Sequence, residues 1–386
     1  MKPIYVPILK AKKGEFDALV HLSKRAINQI VPWFDVPRLA ENARKKSEEH
    51  SELPVESFLN KTASGIAKAW AGKTIFIDLP RWATNAQTEN GEHVIPYLRN
   101  RLELLGINVN PVVDYTSWDD PVYVNAIKGM RLKNGQNFCI RLNMDVDTVE
   151  DMADPEYFVE RLSDIVEQLD TKLSNIHLLI DFGDVSSQSY FIEGMVEKAK
   201  QAIFLVQRIG ISQIMLAGSS LPTSINLAVK AQNSTGLVLR KEMLTWRTLL
   251  SENKFQDLTF ADYGVRNPSA SDEPMPFPNA NGKIRYTIDN QYFIARGCPL
   301  NTGLKYQQFC NLAQIVVSSG HYLQEKFSWG DERMLSYSKN ESKGPGSQTT
   351  WITIDTNHHI ETVLMEILEF RHQLTAKKAR SKEQVE

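Results

Sequence analysis

Residues 74–79 read TIFIDL, a short, mainly apolar run with a polar residue, Asp78, near its end. Seven other segments follow the same plan, and stretches with helical spacing of apolar residues separate them. A continuous apolar run of about four to six residues is typical of a strand buried on both faces, as parallel strands are. The other seven segments are IYVPILK (4–10), VPWFDV (31–36), NPVVDY (110–115), FCIRLN (138–143), LLIDFG (178–183), IMLAGSS (214–220) and LTFADYG (258–264).

The spacing of these segments predicts the architecture. Their polar end residues mostly lie about 27–43 residues apart, the length of one βα unit. Eight strands alternating with helices over residues 1–265 predict an α/β fold of the (β/α)8, TIM-barrel type. A doubly wound open sheet is the rival. The barrel is favoured because eight similar units exceed a usual open sheet and their polar residues fall at equivalent strand ends.

Residues 266–375 break this rhythm and predict a C-terminal hairpin-plus-helix appendage packed on the barrel. A Pro-, Ser- and Asn-rich loop precedes a predicted hairpin around Asp289-Asn290, and an apolar helix follows. TWITID (350–355) reads as a short strand, and the last helix is expected to begin near Thr356 or Asn357. Residues 376–386 are expected to form a disordered basic tail.

Composition excludes several classes of protein. The formal net charge is −2, so no bulk basic field indicates direct nucleic-acid binding. The three cysteines show no CxxC spacing, which argues against a disulfide framework or structural zinc and favours a reducing compartment. No apolar run approaches the roughly 18 residues of a membrane helix, and no signal-peptide pattern opens the chain. A cytoplasmic protein is therefore expected.

In a barrel of this type the carboxyl ends of the strands meet at one mouth, where active sites lie. Carboxylates packed there repel one another and need cations, shared protons or water. The functional interpretation is a pocket for a divalent metal such as Mg²⁺ or Mn²⁺, with Asp78, Asp181 and Asp262 as candidate ligands. The alternative is that several aspartates cap helices. The candidate catalytic residues are Lys10, Asp35, Asp78, Asp114, Arg141, Asp181 and Asp262.

Other residues are candidates for a pocket or a partner interface. Ser219 and Ser220 end a strand and could cradle a phosphate, although a plain turn is the favoured alternative. Aromatic residues of the loops could line a partner interface or simply pack at the mouth. The candidate pocket and partner residues are Tyr263, Arg285, Arg296, Trp329, Trp351, Asn357, His358 and His359.

The adjacent histidines His358 and His359 invite a metal-site hypothesis. Neighbouring residues on a helix point about 100° apart, so the two cannot easily chelate one metal. A capped helix start is the favoured alternative, with Glu361 in the first turn. There the helix dipole would keep a histidine neutral.

Four segments together resemble the beta protein family over nearly the whole chain. They are YVPILKAKKGEFDAL (5–19), ADYGV (261–265), IRYTIDNQYFIARG (284–297) and TTWITIDTNHHIE (349–361). The resemblance implies a genetic role in an anti-phage cassette borne by a phage satellite. There the beta protein restrains a co-encoded killing protein, and a small regulator accompanies them.

Two functions are therefore expected from the sequence. The first is an immunity or antitoxin-like partner that binds a co-encoded toxic effector, and that responds to a small regulator or a phage-derived trigger. The second is a metal-dependent hydrolase or phosphodiesterase, in which the aspartates act on a phosphate ester or nucleotide held by Lys10 and Arg141.

Overall fold

A computed structural model describes residues 3–39, 52–271 and 280–383. Eight parallel strands close into a barrel, so the predicted (β/α)8 fold class is confirmed. The seven strands β1–β7 follow one another around the barrel, and β9 closes it between β7 and β1. The barrel strands are β1 (Tyr5–Lys10), β2 (Trp33–Asp35), β3 (Thr74–Asp78), β4 (Asn108–Asp114), β5 (Phe138–Asn143), β6 (Ile176–Asp184), β7 (Gln213–Ser219) and β9 (Thr259–Asp262).

Helices surround the barrel, and their apolar faces pack on the outward side chains of the strands to form the main core. Several begin at residues whose side chains accept a hydrogen bond from the first turn, as Ser23, Asp120, Asp145 and Asp154 do. The helices of the barrel part are α1 (Lys13–Val20), α2 (Lys24–Gln29), α3 (Pro54–Ala69), α4 (Val94–Leu104), α5 (Pro121–Lys128), α6 (Val146–Ala153), α7 (Pro155–Gln168), α8 (Ile192–Ile209), α9 (Ile225–Ala228) and α10 (Lys241–Ser251).

The barrel interior is polar at both ends and apolar in the middle. Alternate residues of a strand point to the same face, so β3 directs Thr74, Phe76 and Asp78 inward in that order. The middle layer is a distinct buried cluster separate from the outer core. This apolar layer comprises Val6, Ile8, Trp33, Phe76, Val112, Cys139, Leu179, Met215, Ala217 and Ala261. The mouth residues therefore lie above a closed apolar floor.

The appendage is built on a three-stranded antiparallel sheet. The hairpin predicted around Asp289-Asn290 is present as β10 (Asn281–Ile288) and β11 (Gln291–Pro299). The third strand, β8 (Ser234–Leu239), pairs with β11. Strand β8 belongs to residues 1–265, which the sequence predicts to form only the barrel. The connection from β7 to β9 leaves the barrel, contributes β8 to the appendage sheet, and returns. The appendage helices are α11 (Gln308–Val317), α12 (Trp329–Ser338) and α13 (Gln348–Glu383).

The predicted strand TWITID and the predicted helix start at Thr356 or Asn357 are both wrong. Helix α13 is one continuous helix of 36 residues that begins at Gln348. Thr and Ile favour strands locally, but Trp351 and Ile354 lie three residues apart on one helical face. Both side chains are buried in a second core, where the Trp351 ring stacks on Phe309 with centroids 5.0 Å apart. Tertiary packing therefore overrides the local preference.

The end of the chain also differs from the expectation. Residues 376–383 of the predicted disordered tail continue helix α13, and residues 384–386 lie outside the described residues. Within the described ranges, no helix is long and apolar enough to cross a membrane.

Candidate functional site

The side chain of Arg141 is the centre of the barrel mouth. It projects from β5, and its guanidinium nitrogens reach carboxylates at the ends of three other strands. Nη1 lies 2.6 Å from Asp78 and 3.3 Å from Asp35, while Nε and Nη2 lie 2.9 and 2.7 Å from Asp181. The side chain is buried, so a single planar cation holds three carboxylates in a low-dielectric setting.

Tyr263 completes this group. Its hydroxyl accepts a hydrogen bond of 2.5 Å from Nη2 of Arg141 and donates one to Asp181. Burial raises the pKa of Tyr263 well above its ordinary value, and the neighbouring carboxylates raise it further, so the phenol stays protonated. Tyr263 therefore acts as a neutral hydrogen-bonding bridge between the cation and one carboxylate.

Two carboxyl groups around Arg141 have pKa values above that of a free aspartate. Burial raises the pKa of Asp78 to about 7, although the Arg141 guanidinium opposes the rise. Burial also raises the pKa of Asp35, again against Arg141. The mouth therefore holds a carboxyl group that exchanges a proton near neutral pH, a property found often at functional sites.

Residues 266–271 lie over the mouth. Lys10 Nζ donates a hydrogen bond of 2.9 Å to the carbonyl of Ala270. Arg81 reaches the same carbonyl at 3.0 Å and the carbonyl of Pro268. The space left between Lys10, Asp35 and Tyr263 measures about 10 Å³, room for about one water molecule.

Asp114 takes the local role that the alternative interpretation gave it. Its carboxylate accepts hydrogen bonds from the backbone N–H of Ser117 and from the hydroxyls of Thr116 and Ser117. It also accepts one from Asn143 at 2.7 Å. These contacts close the turn after β4, so Asp114 stands apart from the Arg141 group.

Asp262 belongs to a different buried group. It accepts hydrogen bonds from the Tyr5 hydroxyl at 2.6 Å and the Gly264 backbone N–H at 3.0 Å. His359 Nε2 lies 3.0 Å from the other carboxylate oxygen, and Arg240 lies 3.6 Å away. Burial alone would raise the pKa of Asp262, but His359, Arg240 and Tyr5 lower it below its ordinary value.

These contacts contradict the metal site predicted from Asp78, Asp181 and Asp262. Among residues 3–39, 52–271 and 280–383, no group of three or more His, Cys, Asp or Glu is arranged to hold a metal ion. Arg141 lies between Asp78 and Asp181, where a cation would lie, and Asp262 is turned toward His359. The sequence placed the carboxylates at one mouth correctly but did not identify which cation holds them.

The loop after β7 is a turn. Ser220 accepts a hydrogen bond of 2.9 Å from the Lys241 backbone N–H and donates one to Glu242, whose pKa burial raises to about 7. Ser219 is buried, and its hydroxyl has no hydrogen-bond partner among the described residues. An acidic side chain at this position does not suit a phosphate cradle.

The two adjacent histidines, both buried, have pKa values that are shifted in opposite directions. Both ring nitrogens of His358 face acceptors: Nδ1 lies 2.8 Å from Asp331 and Nε2 lies 2.8 Å from the Thr287 carbonyl. An imidazole that donates twice must carry both protons. Burial lowers the pKa of His358, but Asp331 and the Thr287 carbonyl outweigh it and raise the pKa above its ordinary value.

His359 is the member of the pair with the lowered pKa. Its Nε2 faces the Asp262 carboxylate and its Nδ1 lies 2.7 Å from the Thr287 hydroxyl, which can donate. Burial lowers the pKa of His359 despite Asp262. The helix dipole is not the cause, because both histidines lie ten or more residues into α13. Since Glu361 also lies inside the helix, its predicted first-turn role is wrong.

The remaining predicted pocket residues mainly join the appendage to the barrel. Asn357 accepts a hydrogen bond from Gly330 of α12 and donates one to the Ala18 carbonyl of α1. Arg285 bonds Asp355 at 3.0 Å and the Val265 carbonyl at 2.8 Å. Arg296 bonds the carbonyls of Val229 and Lys230. Trp329 stacks on His21 of the barrel part, and Trp351 lies in the second core.

Three partners in these networks were missed at the sequence level: Arg240, Asp331 and Glu366. Arg240 is fully buried and pairs with Glu366 of α13 at 2.5 Å. None of the three lies at the end of a barrel strand, so the pattern that found the mouth aspartates could not find them. A charged residue between two apolar segments, as in LVLRKEML (237–244), was the one available signal.

Fold and site together define the class of this protein. It is a TIM-type barrel in which the buried Arg141 side chain pairs with the carboxylates at the mouth, and buried polar side chains bind the C-terminal appendage to the barrel. A sequence model described as Beta protein matches residues 5–365, so the chain belongs to the Beta protein family. A comparison with curated proteins gives no match.

Replacing Arg141 with Met is expected to cost about 3–5 kcal/mol of unfolding free energy, because it leaves buried carboxylates without their cation. In the variant, the pKa values of Asp35 and Asp78, which burial raises and Arg141 lowers, would lie further above those of the unfolded chain. The penalty should therefore shrink as pH falls from 7 to 5. Urea unfolding at both pH values measures this, with Arg131→Met at an exposed arginine as the control. An equal penalty at both pH values would refute the assignment.

The histidines should contribute opposite pH dependences. The folded-state pKa of His358 lies above about 6.5, so its stabilisation is present below that pH and is lost as pH rises through the folded pKa. The folded-state pKa of His359 lies below about 6.5, so it costs stability as pH falls from there. Urea unfolding from pH 5 to 9 of His358→Gln and His359→Gln, with exposed His372→Gln as the control, tests this. Slope changes of the same sign in both variants would contradict it.

Proposed function

We propose that this protein is a cytoplasmic binding component of an anti-phage defence module that restrains a co-encoded toxic effector. Membership of the Beta protein family supports this role, since the family resemblance implies it. The observation that carries the proposal is the Arg141 group. Three strand-end carboxylates bind the Arg141 side chain, and backbone of residues 266–271 covers the mouth. The groups at the usual catalytic position therefore stabilise the barrel.

An exposed cleft beside the appendage is the surface that best suits a basic segment of the effector. It measures about 680 Å³ and lies between the turn after α1 and the start of α12. Trp329 and Phe327 supply aromatic surface. Glu325, Glu332 and Glu361 outnumber the one lining lysine, Lys326, so the charge of the lining is negative on balance. Aromatic residues are enriched at the centres of protein interfaces, and charge complementarity steers association. In contrast, Asp78, Asp181 and Asp262 at the mouth are buried, and each is already paired with a cation or a hydrogen-bond donor.

The same arrangement suggests how restraint would end. Glu361 accepts hydrogen bonds from the backbone N–H and hydroxyl of Ser23, at 2.6 and 3.0 Å, and so ties α13 to the start of α2. A small co-encoded regulator or a phage-derived trigger that displaced this contact would change the cleft. Such a ligand would release the effector through its preference for the opened form.

Reversing the charge of the cleft is expected to abolish restraint. The double variant Glu325→Lys and Glu332→Lys changes two exposed side chains, and it should lose both growth rescue and co-purification when expressed with the toxic protein encoded beside it. The control is Glu150→Lys with Glu160→Lys, which makes the same charge change at exposed positions on α6 and α7. Full rescue by the cleft variant, or equal loss in the control, would refute this surface as the binding site.

Asp78 favours a second candidate function, a phosphoric-ester hydrolase. A buried carboxyl group with a pKa of about 7 is suited to proton transfer at neutral pH. Lys10 and Arg81 lie at the same mouth and would attract a phosphate if residues 266–271 moved away. The carboxylates do not form a metal site, so this candidate rests on acid–base chemistry by Asp78.

A turnover assay separates the two candidates. A hydrolase should cleave bis(p-nitrophenyl) phosphate, with or without added Mg²⁺ or Mn²⁺, and Asp78→Asn should reduce the rate by about 100-fold or more. Exposed Asp164→Asn should leave the rate unchanged. We expect no turnover above background in the parent protein, which would leave the binding role; turnover lost in Asp78→Asn would establish the enzyme instead.

A further inference from the structure

A second cavity opens at the amino-terminal end of the barrel, opposite the mouth. It measures about 570 Å³ and is lined by side chains at or next to the amino-terminal parts of five consecutive strands, β3 to β7. Cavities of about 300–1,000 Å³ hold small molecules. These lining residues are Thr74, Asn110, His177 and Gln213 of the strands and Asn137, which directly precedes β5.

These residues are polar where a barrel of this type normally carries bulky branched apolar side chains. The side-chain amides of Asn137 and Gln213 make no hydrogen bond within the described residues. Asn110 is buried, yet its amide contributes only Oδ1, which accepts from the Asn137 backbone at 2.8 Å. Asn137 and Gln213 are partly exposed beside the cavity, so this layer offers donors and acceptors to a molecule that enters it.

The charge of the lining limits the ligand. No lining residue among those described is a carboxylate, and Lys73 at the rim is the cation. Its ammonium lies 5.2 Å from the centre of the Trp70 ring. Below, Phe76 forms part of the apolar floor, with the His177 ring edge-on to it at 5.7 Å. The cavity therefore has uncharged hydrogen-bonding side chains inside and a positive charge, that of Lys73, at its rim.

We propose that this cavity binds a mononucleotide, with its base among the amides and its phosphate toward Lys73. Asn and Gln side chains pair with the planar edge of a base, where a donor and an acceptor lie side by side, and an inorganic ion has no such edge. A lysine at the rim supplies a point charge for the phosphate. The apolar layer ending at Phe76 sets the depth to which the base enters.

This site is independent of the proposed restraint of an effector. The cavity and the cleft near Trp329 share no lining residue. Loss of nucleotide binding would therefore leave the effector experiment unchanged, and the converse also holds.

Titration of the full chain with AMP, GMP, CMP and UMP by calorimetry tests the proposal, with adenosine and ribose 5-phosphate as fragments lacking phosphate or base. At least one nucleotide should bind more tightly than either fragment. Gln213→Met keeps the side-chain volume and should weaken that binding about tenfold, while exposed Gln232→Met should not. Lys73→Met should weaken nucleotides but not adenosine, and exposed Lys128→Met should weaken neither.

Several results would overturn the proposal. These are no binding of any of the four nucleotides, ribose 5-phosphate binding as tightly as the best nucleotide, or unchanged affinity in Gln213→Met. Adenosine binding as tightly as AMP, with no effect of Lys73→Met, would remove the phosphate from the ligand and so refute a nucleotide site. Asn137→Leu provides a second lining variant, since the Asn137 side chain makes no hydrogen bond within the described residues.

Discussion

The buried cation of Arg141 is the interaction on which the barrel mouth depends. Closing eight parallel strands brings their carboxyl ends together, and in this sequence several of those ends are aspartates. Without a cation, Asp35, Asp78 and Asp181 would either repel one another or take up protons. A planar guanidinium with five donors can meet several carboxylates at once, which an ammonium group could not do with the same geometry. Arg141 thereby fixes the ends of β2, β3 and β6 relative to β5.

A second set of buried polar contacts makes the appendage part of the same body. His358 and His359 follow one another on α13 but face different partners, because adjacent helical residues point about 100° apart. His358 faces Asp331 of α12, and His359 faces Asp262 at the barrel mouth. Both also contact Thr287 of β10, one through its carbonyl and the other through its hydroxyl. One dipeptide therefore links the long helix, the hairpin and the barrel.

The sequence predicts the barrel and the location of its mouth, since strand-end polar residues of parallel strands must converge at one edge. It does not predict what each aspartate does there. Asp114 and Asp78 have the same local pattern, yet one closes a turn and the other holds Arg141. That difference depends on which side chain lies across the barrel, a property of register and tilt rather than of local sequence.

The helical state of residues 350–355 fails to be predicted for a related reason. Their Thr and Ile content favours a strand, and only the second core, assembled from α11, α12 and the hairpin, gives the helical face of Trp351 something to bury against. The course of β8 is equally non-local. Strand β8 lies in the connection between β7 and β9, and it pairs with β11, which comes more than 50 residues later in the sequence. Neither the packing of Trp351 nor the pairing of β8 with β11 can be predicted from the neighbouring residues in the sequence.

The barrel interior has a polar layer at each end and an apolar layer between them. Phe76 and its neighbours form a continuous apolar layer, so burial of nonpolar surface is retained through the centre of the barrel. The same layer lies between the amides at the amino-terminal end and the Arg141 group. Coupling by direct contact between the two ends would therefore have to pass through movements of the strands. Such movements are resisted by the Arg141 contacts, which hold four strand ends in fixed register.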